Sequence, residues 1–136
     1  MLEVEFPVIV TFLSAALAFV LGMLWYHPKV LGEKWMKARG KGEAPVKMNV
    51  RSLFVVLILW TLAACFYSFL VDIMMIKDVP GFFALSCLLW VAFAMPPLVM
   101  GMLYNDHSLE AVSIDASYQL AGYYIFALMH IIAGAL

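Results

Sequence analysis

The chain has 136 residues, of which 66% are hydrophobic and 12% charged, and its net charge is −1. A soluble domain carries roughly 25% charged residues, and one this short has too little interior to hide so much apolar surface. A near-zero net charge leaves no electrostatic footprint for nucleic acid. The composition therefore excludes a water-soluble domain and a nucleic-acid partner, and makes the lipid bilayer the expected surroundings of a single domain, residues 1–136.

The first apolar run, Phe6 to Trp25, has 20 residues and no formal charge. A helix needs about 20 apolar residues to cross the hydrocarbon core. Glu3 and Glu5 stand where a signal peptide would be positive, so the run reads as a mature helix. Thr11, Ser14, Ala18 and Gly22 put small residues along one side. That spacing suits close approach of another helix, within one bundle or from a second copy. So small a bundle is expected to form a homo-oligomer, or to pack on another membrane protein.

Trp25 and Tyr26 fit an aromatic belt at the membrane boundary, and Pro28 stops the helix. Seven of the eight Lys and Arg residues then fall between Lys29 and Arg51. Such clustering marks a cytoplasmic loop of a cell-membrane protein, with the N-terminus outside. Within it, Pro28 is placed to begin a short helix and Gly40 to end it. Leu31, Trp35 and Ala38 share one face, with Lys34, Lys37 and Lys41 away from it. That pattern predicts a helix lying in the interface with Trp35 among the headgroups; the plainer reading is an ordinary loop.

The second run, Leu53 to Ile76, contains one charge, Asp72. Lys77 to Gly81 forms a tight turn, so the third run, Phe82 to Tyr104, is an antiparallel neighbour. Pro96 and Pro97 interrupt this third helix, because neither donates a backbone hydrogen bond. The break is either a packing kink or a binding feature of the kind found in transporters. Cys65 and Cys87 sit at depths differing by roughly 7–8 Å at helical rise, a poor geometry for a disulfide.

The fourth run, Ile114 to Leu136, has Ser113 as a candidate N-cap and Asp115 in the expected first turn. Asp115, Gln119, Gly122, Phe126, His130 and Ala133 form one stripe at helical spacing. Ionisable groups within a membrane are functional candidates by default. Depth suggests Asp72 as the partner of His130 and Arg51 as that of Asp115, with His27 near the same end. The three histidines lack metal-ligand spacing, and no metal or other cofactor is expected. Gly22-Met23-Leu24-Trp25 is echoed by Gly101-Met102-Leu103-Tyr104, a faint sign of a repeated helix pair.

The segment Gly22-x-x-Trp25-Tyr26-x-Pro28, followed by Gly32 and Trp35, resembles the start of the bacterial and archaeal membrane-protein family called domain of unknown function 1761. Asp115, Tyr118 and Gly122 resemble that family's Asp-x-x-Tyr-x-x-x-Gly arrangement in the last helix. The resemblance implies a four-helix membrane protein and brings no activity with it.

The expected fold is all-α, a four-helix transmembrane bundle with a short interfacial helix in its first loop. The expected function is a channel or transporter for a proton, ion or small solute, drawing on Asp115, Gln119, His130, Asp72, Tyr118, Arg51 and His27. An accessory subunit is the alternative, and a membrane-embedded enzyme acting on lipid comes third.

Overall fold

A computed structural model of the chain describes residues 7–40 and 49–136. Glu3, Glu5, Phe6, Lys41 and Lys47 lie outside the described residues. Four helices are long and apolar enough to cross a membrane: Val8–Trp25, Val50–Ile73, Val79–Asn105 and Leu109–Ala135. The protein is an all-helical, multi-pass membrane protein whose outer side chains meet lipid.

The first span, α1 (Val8–Trp25), is followed by a wide π turn, Pro28–Gly32, and a short helix, α2 (Glu33–Ala38). The His27 ring Nδ1 caps this turn by accepting from the Lys29 N–H at 3.1 Å, and Gly32 N–H reaches back five residues to the His27 carbonyl. Arg39 caps α2, and Gly40 then takes a positive φ of 71°, which glycine adopts without a steric cost. The segment from Pro28 to Gly40 therefore does fold as a helical excursion.

The second span, α3 (Val50–Ile73), begins three residues earlier than its apolar run. Asn49 supplies the reason, accepting from the Ser52 N–H at 2.8 Å and satisfying one orphan donor of the first turn. The span also ends three residues early. Met75 adopts φ 53°, and the N–H groups of Met75 and Ile76 return to the carbonyls of Asp72 and Val71. This is a Schellman termination, here with an L-residue where glycine is usual.

The third span is built from α4 (Val79–Leu89), a π turn at Trp90–Ala94 and α5 (Met95–Asn105). Asp78 caps its start by accepting from the Gly81 N–H at 3.3 Å. Pro96 and Pro97 fall in the first turn of α5, where a missing N–H costs least. The break expected from them appears one turn upstream, as the π turn. There the Met95 N–H bonds to the Trp90 carbonyl five residues back.

The fourth span, α6 (Leu109–Ala135), begins five residues before its apolar run. Ser108, rather than Ser113, is its N-cap, accepting from the Ala111 N–H at 3.2 Å. Ser113 instead donates back to the Leu109 carbonyl at 2.7 Å. Asp115 consequently lies past the first turn, where Glu110 sits, so the helix-terminus account of Asp115 does not hold.

The core lies around α6, which packs against α1, α2, α4 and α5. Thr11, Ser14 and Ala18 on α1 are fully buried, so the small-residue stripe is used inside the bundle and is not free for a second copy. Phe126 and Ala127 are equally sealed. Around Phe126 stand Trp60, Tyr67 and Tyr123, with ring centroids 5.4–5.9 Å away and steeply tilted planes. Edge-to-face contacts of this kind add about 0.5–1.5 kcal/mol each beyond area burial.

Candidate functional site

The two sequence motifs, almost a hundred residues apart, meet side chain to side chain where α1 and the turn after it pack on the first half of α6. Trp25 closes α1 and donates its indole N–H to the Ile114 carbonyl at 3.2 Å. Tyr26 follows, and its hydroxyl donates to Asp115 Oδ1 at 2.5 Å. The Tyr26 ring stands edge-on to both Trp35 and Tyr118, with centroids 5.3 Å apart in each case. Arg39 completes this layer with its guanidinium 4.6 Å above the Trp35 ring, within cation–π range.

The glycines make these contacts geometrically possible. A Cβ on Gly22 would overlap the Tyr118 hydroxyl and lie 2.8 Å from its ring carbon Cζ. One on Gly122 would overlap the Trp60 ring, 2.7 Å from Cζ3. One on Gly32 would overlap the Tyr26 backbone carbonyl. Each glycine is thus the site of a close approach that any larger residue would prevent.

Tyr118 links this layer to the bundle interior. Its hydroxyl donates to the Ala18 carbonyl at 3.1 Å and accepts from the Trp60 indole N–H at 2.7 Å. Burial, above all, pushes the Tyr26 phenol well above its ordinary range, and the hydrogen bond to Asp115 and its charge push the same way. Tyr26 therefore stays a neutral donor at every physiological pH, and Asp115 has a fixed partner.

A second polar cluster occupies the opposite end of the bundle. His130 is 8% exposed. Its Nδ1 lies 2.7 Å from the Phe126 carbonyl and its Nε2 3.0 Å from Ser68 Oγ. Ser68 Oγ in turn lies 2.7 Å from Thr11 Oγ1. A carbonyl only accepts, so in the neutral ring Nδ1 carries the proton and Nε2 accepts from Ser68. The expected partner, Asp72, is one turn along α3 from Ser68 and only half-buried. The two share a face of α3, and Ser68, one turn deeper, is the one that stands level with His130. His130 also lines an open cavity of about 480 Å³, together with Lys77, Phe82, Ile131 and Gly134.

The remaining candidates are apart from these clusters. Arg51 is exposed at the start of α3, and Asp115 is bonded to Tyr26, so the expected Arg51–Asp115 pair does not form. His27 is exposed and serves as a cap. Gln119 lines a lateral groove beside the π turn of the third span. Between the two polar clusters stand the packed rings of Tyr118, Trp60 and Phe126.

Sequence reasoning missed Trp60, Ser68 and Thr11 as polar partners. Trp60 is an indole deep within an apolar run, and an indole N–H in lipid must find an acceptor. That rule would have singled it out, though without naming Tyr118.

No curated protein and no solved structure matches the chain. Residues 9–131 match the family described as protein of unknown function (DUF1761), and with that match the chain belongs to the family.

Proposed function

We propose that the protein is a small transporter or channel for a proton, an ion or a small solute, set in the cell membrane with the Lys29–Arg51 loop on the cytoplasmic side. The observation that carries this reading is His130 in the wall of an open cavity, hydrogen-bonded inward through Ser68 to Thr11. A buried imidazole facing an open vestibule is suited to take up or release a proton or to meet a polar solute. Asp115 with Tyr26 is the corresponding polar group at the other end. The aromatic layer of Tyr118, Trp60 and Phe126 separates the two, so passage requires that layer to move. A carrier exposing one end at a time fits this arrangement better than an open pore.

Reconstitution into liposomes tests the reading. Flux of protons, sodium, potassium and small uncharged solutes would be followed with internal dyes under an imposed potential. The expected result is a flux that falls at least tenfold in His130→Ala and in Asp115→Asn. No flux of any kind, or a flux indifferent to both changes, overturns it.

An accessory, packing role is the second reading. It draws on the way interior polar side chains end on backbone carbonyls of neighbouring helices: Trp25 on Ile114, Trp90 on Ala116, Tyr67 on Phe82 and Ser86 on Tyr123. Such stitching suits a rigid scaffold. Purification as a stable homo-oligomer, alone, counts against it.

A further inference from the structure

The π turn of the third span opens a groove on the side of the bundle. Its walls are Phe93, Ala94, Pro97, Leu98, Gln119 and Tyr123, and its volume is about 350 Å³. The exposed Phe93 and Pro97 stand at its edge, so the groove opens on the side of the bundle. It lies at mid-depth, because Trp90–Ala94 is the centre of the 27-residue span and Gln119 and Tyr123 flank the centre of α6.

The polar groups here are unusual for that depth. Among the described residues, the Gln119 amide has no hydrogen-bond partner, and neither does the Tyr123 hydroxyl; the Tyr123 carbonyl alone is engaged, by Ser86. Lipid chains offer no hydrogen bonds, so unpaired polar groups are costly at this depth. Something with both donors and acceptors has to cover the groove.

We propose that the occupant is a second copy of this chain, docked two-fold symmetrically along α5 and α6 with the Gln119 amides facing each other. A primary amide carries two donors and an acceptor, so it is complementary to its own copy across a two-fold axis. Side-chain amides are among the groups that join helices in membranes. Shape points the same way. Phe93 is 68% exposed at the rim of the groove, and Ala94 and Pro97 provide a shallow hollow beside it. A knob next to a hole on one face is what a self-complementary interface requires. The α1 stripe of small residues is unavailable for this purpose, being buried against Ser68 and Tyr118. The inference stands independently of transport.

Cysteine cross-linking in liposomes tests it. Cys65 and Cys87 are replaced by Ala in the full chain, and Ala94→Cys is introduced on the groove wall. Leu62→Cys, exposed on α3, serves as the control. The expected result is an oxidised dimer from Ala94→Cys, little from Leu62→Cys, and at least a fivefold loss of the Ala94→Cys dimer when Gln119→Leu is added. Phe93→Ala is the second variant, expected to weaken the dimer without removing any hydrogen bond; unchanged helicity by circular dichroism verifies that each variant folds. A monomer at every protein-to-lipid ratio, including one that carries a lipid-soluble molecule in the groove by native mass spectrometry, overturns the proposal. So does a dimer indifferent to both substitutions, or one captured through Leu62→Cys instead.

Discussion

The hydroxyl of Tyr118 occupies the space that a side chain at residue 22 would need. Its ring carbon Cζ lies 2.8 Å from where a Cβ on Gly22 would stand, and the hydroxyl itself bridges Trp60 and the Ala18 carbonyl. A methyl group at residue 22 therefore displaces a ring that ties α1, α3 and α6 together.

Gly22→Ala is expected to destabilise the protein by about 1–3 kcal/mol, the usual cost of overpacking a tight core. Tyr118→Phe removes the hydroxyl and part of the clash, so the double variant should lose less than the two single losses combined. Unfolding in detergent micelles, monitored by circular dichroism, measures the cycle; strict additivity would refute the contact. Gly122→Ala, meeting the flat and immobile Trp60 ring, should cost at least as much.

The Tyr26–Asp115 bond gives a second prediction. Hydrogen bonds to charged groups contribute about 1.5–3 kcal/mol, so Tyr26→Phe should lower stability within that range. Asp115→Asn keeps an acceptor and should be milder than Asp115→Ala.

Its pH dependence has a definite sign. The folded protein holds the Tyr26 proton above the ordinary tyrosine value of 10.0. The stabilisation is then complete below about pH 10 and is lost as pH rises beyond it, because the unfolded chain ionises first. An ultraviolet titration of tyrosinate should show one fewer late-ionising tyrosine in Tyr26→Phe. Tyr26 ionising with the exposed tyrosines in the native protein would contradict the burial described.

At the other end, Ser68→Ala removes the donor to His130 Nε2 and leaves a buried ring nitrogen without a partner. The expected loss is about 1–3 kcal/mol. Ser68→Thr, which keeps a hydroxyl, should recover part of it. Asp72→Asn should leave stability within about 0.5 kcal/mol, as expected for a site outside such a network. An Asp72→Asn loss equal to that of Ser68→Ala would restore the pairing that depth alone suggested.

Met75 is 74% exposed and sits at φ 53°. A left-handed conformation costs an L-residue about 1–2 kcal/mol, part of which glycine returns as chain entropy. Met75→Gly is accordingly expected to raise stability by about 0.5–1 kcal/mol in the same unfolding assay.

The spans were legible because hydropathy reports the apolar thickness that a bilayer demands. Their exact ends were not, because Asn49 and Ser108 start helices in polar sequence that continues beyond that thickness. The Gly22–Trp35 and Asp115–Gly122 patterns stood out as residue types at fixed spacing, and Tyr26, Trp25 and Tyr118 do converge. That they converge on one another was hidden, since spacing within one helix carries no information about the neighbour it faces. His130 illustrates the limit. Hydropathy fixed its depth only to within about a turn, and Ser68 and Asp72, one turn apart on the same face of α3, fall within that margin; the packing of the helices selected Ser68. The π turn was half legible: the two prolines announced a break, and the geometry placed it upstream of them.

Because α6 supplies acceptors for Trp25, Tyr26 and Trp90 and a hydroxyl for Trp60, the first three spans enter the membrane with these indole and phenol groups unmatched. A nascent chain held before α6 leaves the ribosome is chemically unfinished. The closing step of its biogenesis is insertion of the last helix between partners already in place, so premature termination there should yield a species that membrane quality control removes.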